Sequence, residues 1–441
     1  MPPPRQPGLR PRIAAIADDV TGATDVAAAF RQAGLGVRLV FGVPDASARA
    51  EDDIVVIALR TRTVDPSIAV HQALASLAWA QAQGFERFYF KYCSTFDSSP
   101  AGNIGPVADA LADRLGAQLT VIAPATPVHG RTVYEAQLFV WDQLLSESPM
   151  RDHPLTPMTD ANLVRLLGHQ TTRAIAHLHY GIVAQGAAAI TEALTRLRES
   201  GARYVVVDGI DDEDLCQLGR SVAGEVLTTG AAGLATGLAT ALIQQGGRDS
   251  AAPQQPAVSA DYRHAAVLAG SCSARTLDQV ARMVRTNPAY QLDPVTVPGP
   301  DALAEDALRW FDSVDTAAGG APLIYSSMPA ARLRVVQKAL GVAGAATVVE
   351  AAMGLIGRGL VERGIDRLVV AGGETSGSVT EALGIRDVVV GADAAPGVPW
   401  LFADVGHPLA LLLKSGNFGE PGLLVAASAT SSGDEKAGNE H

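Results

Sequence analysis

Short apolar runs recur along this chain, each followed by an Ala- and Leu-rich stretch of helical character. RIAAIA, VRLVF, DIVVIAL, RFYFKY, LTVIAPA and RYVVVDGI occupy its first half. Several of them are apolar at successive positions instead of alternate ones. Strands of that kind bury both faces, which requires helices on either side of a largely parallel sheet. The pattern therefore predicts an α/β protein. After ATALIQQ the composition shifts, and GGRDSAAPQQPAVSADYRH is rich in Gly, Pro, Gln and Ser with no apolar period. The alternation then restarts with AAVLAGS, PLIYSSM, DRLVVAGGE and LALLLKSG. Two α/β domains are expected, 1–245 and 264–425, joined by a linker at 246–263 and followed by a polar, disordered tail at 426–441. A chain of 441 residues has room for both.

Composition narrows the partners. The net charge of -12 opposes binding to nucleic acid or to a membrane surface, since both need a cationic footprint. A small anionic ligand is still compatible, because local Arg and Lys override the mean field. Cys93, Cys216 and Cys272 stand far apart without CxxC spacing, so neither a disulfide framework nor a zinc site is expected, and a reducing cytoplasm fits best. The basic, Pro-rich leader MPPPRQPGLRPR is not followed by a signal-peptide core, and no segment reads as a membrane span.

Ligands of open α/β sheets sit beyond the carboxyl ends of the strands. Asp18 and Asp19, in IAAIADDVTGATD, occupy such an end. One carboxylate would serve the next helix as a cap, with Thr21 also available as N-cap; two exceed what a cap requires. Ionised carboxylates accept hydrogen bonds only, and so suit a ligand rich in hydroxyls. At the next strand ends, ALRTRT carries Arg60 and Arg62, FYFKYCSTFDSSPAGNIGPV delivers Lys91, Ser94, Thr95 and Asp97, and IAPATPVHGRT delivers His129 and Arg131. Guanidinium and ammonium groups bind carboxylate or phosphate. Together these ends suit a small polyhydroxy acid.

The second domain has few charges and many small residues at its strand ends. LAGSCSART presents Ser271 and Ser273, VVAGGETSGSV presents Gly372, Gly373, Thr375, Ser376 and Gly377, and LKSGNFGEPG presents Gly416, Asn417 and Gly419. Such loops turn backbone N–H groups and hydroxyls toward phosphate at helix N-termini, which points to a nucleotide. There is no GxxxxGK[ST] and no GxGxxG after a strand, so a Walker loop is absent and a dinucleotide reading lacks its fingerprint. His177 and His179 in IAHLHYG could ligate a metal, but a lone HxH on an apolar strand is more often packing, and no metal-ligand set is assigned.

The segments IADDVTGATDVA, FYFKYCSTFDSSPAGNIGPV, APATPVHGRTVYEAQLFV, AGSCSARTLDQV, AGGETSGSV and LKSGNFG resemble the four-carbon acid sugar kinase family, and within it the branch acting on 3-oxo-tetronates. The resemblance runs from about residue 12 to about residue 420. It implies a sugar-acid-binding N-terminal domain, an ATP-binding C-terminal domain with the ligand site in the cleft between them, and phosphorylation of the terminal 4-hydroxyl. It implies ATP contacts at Ser271, Gly372, Gly373, Glu374, Thr375 and Gly419. Asp18, Asp19, Arg62, Lys91, Asp97 and Arg131 fall in motifs of the sugar-acid domain, where Arg62 with Lys91 or Arg131 is expected to hold the acid's carboxylate, Asp18 and Asp19 to orient its hydroxyls, Asp19 or Asp97 to act as base and Mg2+ to bridge the phosphates. D-threonate or D-erythronate kinases and a non-catalytic sensor are the alternatives, and assembly into a homo-oligomer is left open. The chain departs from the family's pattern at Ala231 and Ala232, at His129, and after SGNFG.

Overall fold

The computed structural model describes residues 12–45, 48–50, 52–153, 156–246, 262–314 and 320–429. Most of the expected linker and the segment beyond 429 lie outside the described residues, as does most of the basic leader. The chain divides into two compact units, Met1–Gln255 with Arg386–Val390, and Pro256–Ile385 with Gly391–His441.

In the first unit the strands are β1 (Ile13–Ala17), β2 (Val37–Phe41), β3 (Ile54–Ala58), β4 (Arg87–Lys91), β5 (Thr120–Ala123), β6 (Arg131–Tyr134), β7 (Gln137–Val140), β8 (Gln143–Leu144), β9 (Ile175–Leu178), β10 (Tyr204–Val207) and β11 (Leu227–Gly230). The main sheet runs β2-β3-β1-β4-β11-β5-β10-β9, with every pair in that order parallel. Asp387–Val389 pairs antiparallel on β2. Strands β6, β7 and β8 form a separate antiparallel sheet. The apolar runs become these strands because both faces are covered: every residue of IAAIA, IVVIA and YVVV is buried. Each fully buried Val or Ile contributes roughly 1.5–3 kcal/mol of apolar burial, which outweighs the modest intrinsic preferences of the segment.

The second unit contains β12 (Ala265–Ala269), β13 (Ala289–Gln291), β14 (Leu323–Tyr325), β15 (Arg367–Ala371), β17 (Val398–Asp404) and β18 (Pro408–Lys414), and the strand Asp387–Ala395, numbered β16, precedes β17. Its order is β13-β14-β12-β15-β18-β17, parallel from β13 to β18 and antiparallel between β17 and β18. Both units thus arrange their first four strands as second, third, first, fourth. In each, the chain leaves the first strand toward one side and the fourth toward the other, so a topological switch point lies between β1 and β4 and another between β12 and β15. That is where open α/β sheets bind ligands.

Two sequence readings need correction, and one helix bears on a third. Thr21 is not the N-cap: the helix Val20–Gln32 is capped by Asp19, which accepts from the Gly22 N–H at 3.0 Å. The helix Leu423–Ser428 continues past the expected boundary at 425, because Leu424 and Ala427 are buried in the core of the second unit. The helix Val342–Glu362 is, by length and composition, apolar enough to cross a membrane, although no span was read there. Half of its most apolar window is buried, against Pro300–Asp312 and Gly373–Ala382 among others. It serves as a core helix of this unit.

Candidate functional site

At the first switch point, β1 hands directly to Asp18 and Asp19, and β4 ends on Lys91 beside Ala17. The Asp18 N–H donates to the Lys91 carbonyl at 3.0 Å, while the Asp18 carbonyl accepts the N–H groups of Thr61 at 2.9 Å and Arg62 at 3.2 Å. The loop after β3 is thereby strapped across the carboxylate pair. Arg62 forks onto Asp18, with Nε 3.1 Å from Oδ2 and Nη2 2.9 Å from Oδ1, and the same Nη2 lies 2.5 Å from Asp19 Oδ1. Asn103 holds that loop in place: its Nδ2 donates to the carbonyls of Thr61, Arg62 and Val64.

The two carboxylates, both buried, are electrostatically unlike. Burial dominates Asp18 and, with Asp19 next to it, raises its pKa despite Arg62. Burial also opposes ionisation of Asp19, but Arg62, Lys91 and the hydrogen bonds from Thr21 and Gly22 outweigh it and lower its pKa. Asp19 is therefore the more readily ionised of the pair. Lys91 is buried and donates to the Tyr92 carbonyl at 2.8 Å. Gly22 is required by close approach: a Cβ there would stand 2.3 Å from Asp19 Oδ1 and 2.7 Å from Lys91 Nζ.

Beyond β4 the chain makes a strained turn. Phe96 has φ of 52° and is fully buried, a conformation that costs a bulky residue on the order of 1–3 kcal/mol. Edge-on packing of Tyr92 against Phe96, with ring centroids 5.5 Å apart, holds it there. The turn aims Thr95 and Asp97 together, the Thr95 hydroxyl donating to Asp97 Oδ1 at 2.6 Å. Cys93 adjoins them, its Sγ 3.0 Å from Thr95 Oγ1, and burial, with Asp97 adding to it, pushes its thiol up to about 11. Arg131 opens β6 and is 7% exposed. One Nη donates to the His129 carbonyl, while Nε is buried with no hydrogen-bond partner. Burial lowers its pKa against the opposing pull of Cys93, Asp97 and Asp25. The unpartnered Nε leaves Arg131 with donor capacity that suits an anion.

In the second unit, the loops after β12, β15 and β18 meet. Ser271 N–H donates to the Ala371 carbonyl at 3.2 Å and Gly372 N–H to the Lys414 carbonyl at 2.9 Å. Gly372 has φ of 130°, and a Cβ on it would lie 3.1 Å from both Ser271 N and Thr375 Oγ1, so only Gly fits between them. Gly373 opens the helix Gly373–Ala382, with Glu374 in its first turn and Thr375 buried behind. Ser273 caps the helix Ala274–Met283, and its hydroxyl donates to the Gly416 carbonyl at 2.6 Å. Gln279 Nε2 reaches the Gly419 carbonyl at 3.3 Å. These are turns of the kind that expose N–H groups to phosphate at helix N-termini.

Lys414 was missed by sequence reasoning, although the signal that singled out Lys91 applies to it: a cation ending an apolar strand. It is fully buried and donates to Thr276 Oγ1 at 3.0 Å and the Gly416 carbonyl at 3.2 Å. Burial, helped by Arg275, pushes its ammonium down to about 7. The unfolded chain, with Lys near 10.4, then binds the extra proton between those values, so stability should rise with pH from about 7 to about 10.4. Denaturation midpoints across that range should climb in the wild type, and Lys414→Met should flatten the climb. An equal climb in both would refute the assignment.

His177 and His179 differ in their surroundings, His177 bonding to Asp208 through Nε2 at 2.8 Å and His179 to Glu135 through Nδ1 at 3.1 Å. The His177 side chain is 15% exposed and that of His179 is 58% exposed, the latter just beyond the end of β9.

Residues 13–238 match the family described as "Sugar-binding N-terminal domain" and residues 266–424 the one described as "Nucleotide-binding C-terminal domain". Sheet topology, site chemistry and these matches define a two-domain α/β protein that combines a sugar-binding with a nucleotide-binding domain. Similar curated proteins, each named 3-oxo-tetronate kinase, come from Burkholderia multivorans, 43% identical over 93% of this chain and 95% of the relative, and Pseudomonas fluorescens, 45% identical over 93% and 95%. A crystal structure from Salmonella typhimurium LT2, provisionally described as a tRNA synthase, is 40% identical with a TM-score of 0.81 over 94% of this chain and 98% of that one. A Haemophilus influenzae structure is 38% identical with a TM-score of 0.71 over the same shares. The chain belongs to the four-carbon acid sugar kinase family.

Proposed function

We propose that the protein is an ATP-dependent kinase that phosphorylates the 4-hydroxyl of a four-carbon acid sugar, with a 3-oxo-tetronate as substrate. The observation that carries this reading is the charge arrangement at the carboxyl ends of β1, β3 and β4. Hydroxyl-accepting carboxylates stand there beside buried cations, and one nearby guanidinium nitrogen is unpaired. The relatives named 3-oxo-tetronate kinase support the substrate class.

In this reading Arg131 and Lys91 hold the acid's carboxylate, while Asp18 and Asp19 orient its hydroxyls. Arg62 is already forked onto the two aspartates, so its part is to fix them, not to grip the substrate. Asp19, the more readily ionised member, takes the proton of the attacking hydroxyl, with Asp97 the alternative base. Ser271, the run Gly372 to Thr375 and Gly419 would receive ATP, and Mg2+ bound with it would supply the charge neutralisation that phosphoryl transfer generally requires. Catalysis is then chiefly positioning and charge stabilisation.

A coupled ADP-release assay with Mg-ATP tests this against a panel of four-carbon acids, the 3-oxo-tetronates generated in place by the matching dehydrogenase. Turnover with a 3-oxo-tetronate is the expected result. Turnover only with threonate or erythronate would move the substrate and keep the kinase. ATP binding with no ADP release for any acid would sink the reading in favour of a sensor.

A further inference from the structure

A second group of ligating side chains gathers at the ends of β9 and β10, using none of the residues assigned above. Glu135, in the turn between β6 and β7, His177 and His179 each offer a ligand atom, and the three atoms lie within 4.8 Å of one another. His179 Nδ1 is 3.1 Å from Glu135 Oε2, and the two imidazole centroids are 4.1 Å apart.

The group is built, not incidental, because a buried carboxylate organises it. The Asp208 side chain is wholly buried. Its Oδ1 accepts from His177 Nε2 at 2.8 Å and from the Ala136 N–H at 3.0 Å, and its Oδ2 accepts the N–H groups of Glu135 and Tyr180, both at 2.9 Å. Asp208 therefore fixes three things at once: the ring of His177, the turn carrying Glu135, and the start of the helix that follows His179. With Nε2 donating to Asp208, the lone pair of His177 is left on Nδ1. A buried carboxylate behind a histidine is the usual support of a metal-ligating imidazole, setting both tautomer and orientation.

We propose that Glu135, His177 and His179 form a binding site for a divalent transition-metal ion of the zinc class. Two imidazoles and one carboxylate are a donor set that zinc takes in three-ligand sites, with a fourth position for water. The imidazoles disfavour Mg2+ and Ca2+, which prefer oxygen donors. The ion ties the turn between β6 and β7 to the end of β9, and so braces the hairpin that begins with Arg131.

The test uses the full-length protein stripped with chelator and titrated with Co2+ alone, followed by its visible d–d absorption, then with Zn2+ in competition. A single equivalent should bind and be displaced by Zn2+ but not by Mg2+. His179→Ala should weaken binding by at least ~10-fold, and the His177→Ala, His179→Ala pair should remove it with the circular dichroism unchanged. His179 is exposed enough for that variant to fold. The proposal is overturned if the wild type shows no saturable binding or if the double variant binds as tightly as the wild type. A thiolate charge-transfer band that survives in the double variant would overturn it too, by placing the ion on Cys93, Cys216 or Cys272.

Discussion

Asp19→Asn is expected to lower kcat by about 10²- to 10⁴-fold, the range for losing a positioned base, while the fold and the binding of the acid are retained. The substitution is unusually clean. Asp19 caps the helix Val20–Gln32 through one oxygen that accepts the Gly22 N–H, and Asn is as good a cap as Asp. What is removed is the negative charge, which Arg62 and Lys91 sustain in spite of burial. Steady-state kinetics of Asp19→Asn and Asp97→Asn, side by side with thermal melts, distinguish the two candidate bases. Retention of kcat within a few-fold by Asp19→Asn, with a matching collapse in Asp97→Asn, would transfer the role.

Arg131→Met should separate binding from stability. For the acid, kcat/KM is expected to fall roughly 30- to several-thousand-fold, the effect of about 2–5 kcal/mol when a buried charge loses its partner. The melting temperature should hold or rise. Arg131 is a desolvated cation whose Nε has no partner among the described residues and whose Nη donates to the His129 carbonyl, so an apolar chain of similar length relieves a burial cost. A neutral analogue of the substrate, lacking the carboxylate, should lose almost nothing from the substitution. Equal losses for acid and neutral analogue, or a collapsed melting temperature, would show that Arg131 is structural.

The positions that sequence reasoning found share one property: they are polar residues directly at the ends of apolar strands. Asp18, Asp19 and Lys91 announced themselves because a charge next to IAAIA or RFYF is costly unless it is used. The Gly-rich loops of the second unit were legible for the same reason, since small residues at strand ends leave backbone N–H groups available. Asn103 was quoted in its motif and passed over. An Asn before a helix looks like a cap, and only the structure shows its amide turned to the carbonyls of Thr61, Arg62 and Val64 instead. Arg62 looked like the grip for the acid and is engaged with Asp18 and Asp19. Lys414 and Asp208 carry the same strand-end signal as Lys91 and were not followed.

What the sequence determined by itself was the alternation of doubly buried strands with helices, and therefore an α/β fold with its chemistry at the strand ends. Those are local properties, written in runs of five or six residues and in the residue that follows each run. Only the tertiary structure decided strand order, and with it which ends become neighbours. The loops of β1, β3 and β4 converge because β1 lies between β3 and β4, and Arg386–Val390 joins the first unit across more than a hundred intervening residues. Pairing between distant segments depends on which surfaces bury best together, and no local pattern encodes that sum. The same holds for charge: Asp18 and Asp19 are adjacent and identical in sequence, and their opposite pKa shifts arise from Arg62, Lys91, Thr21 and Gly22 arranged around them in space.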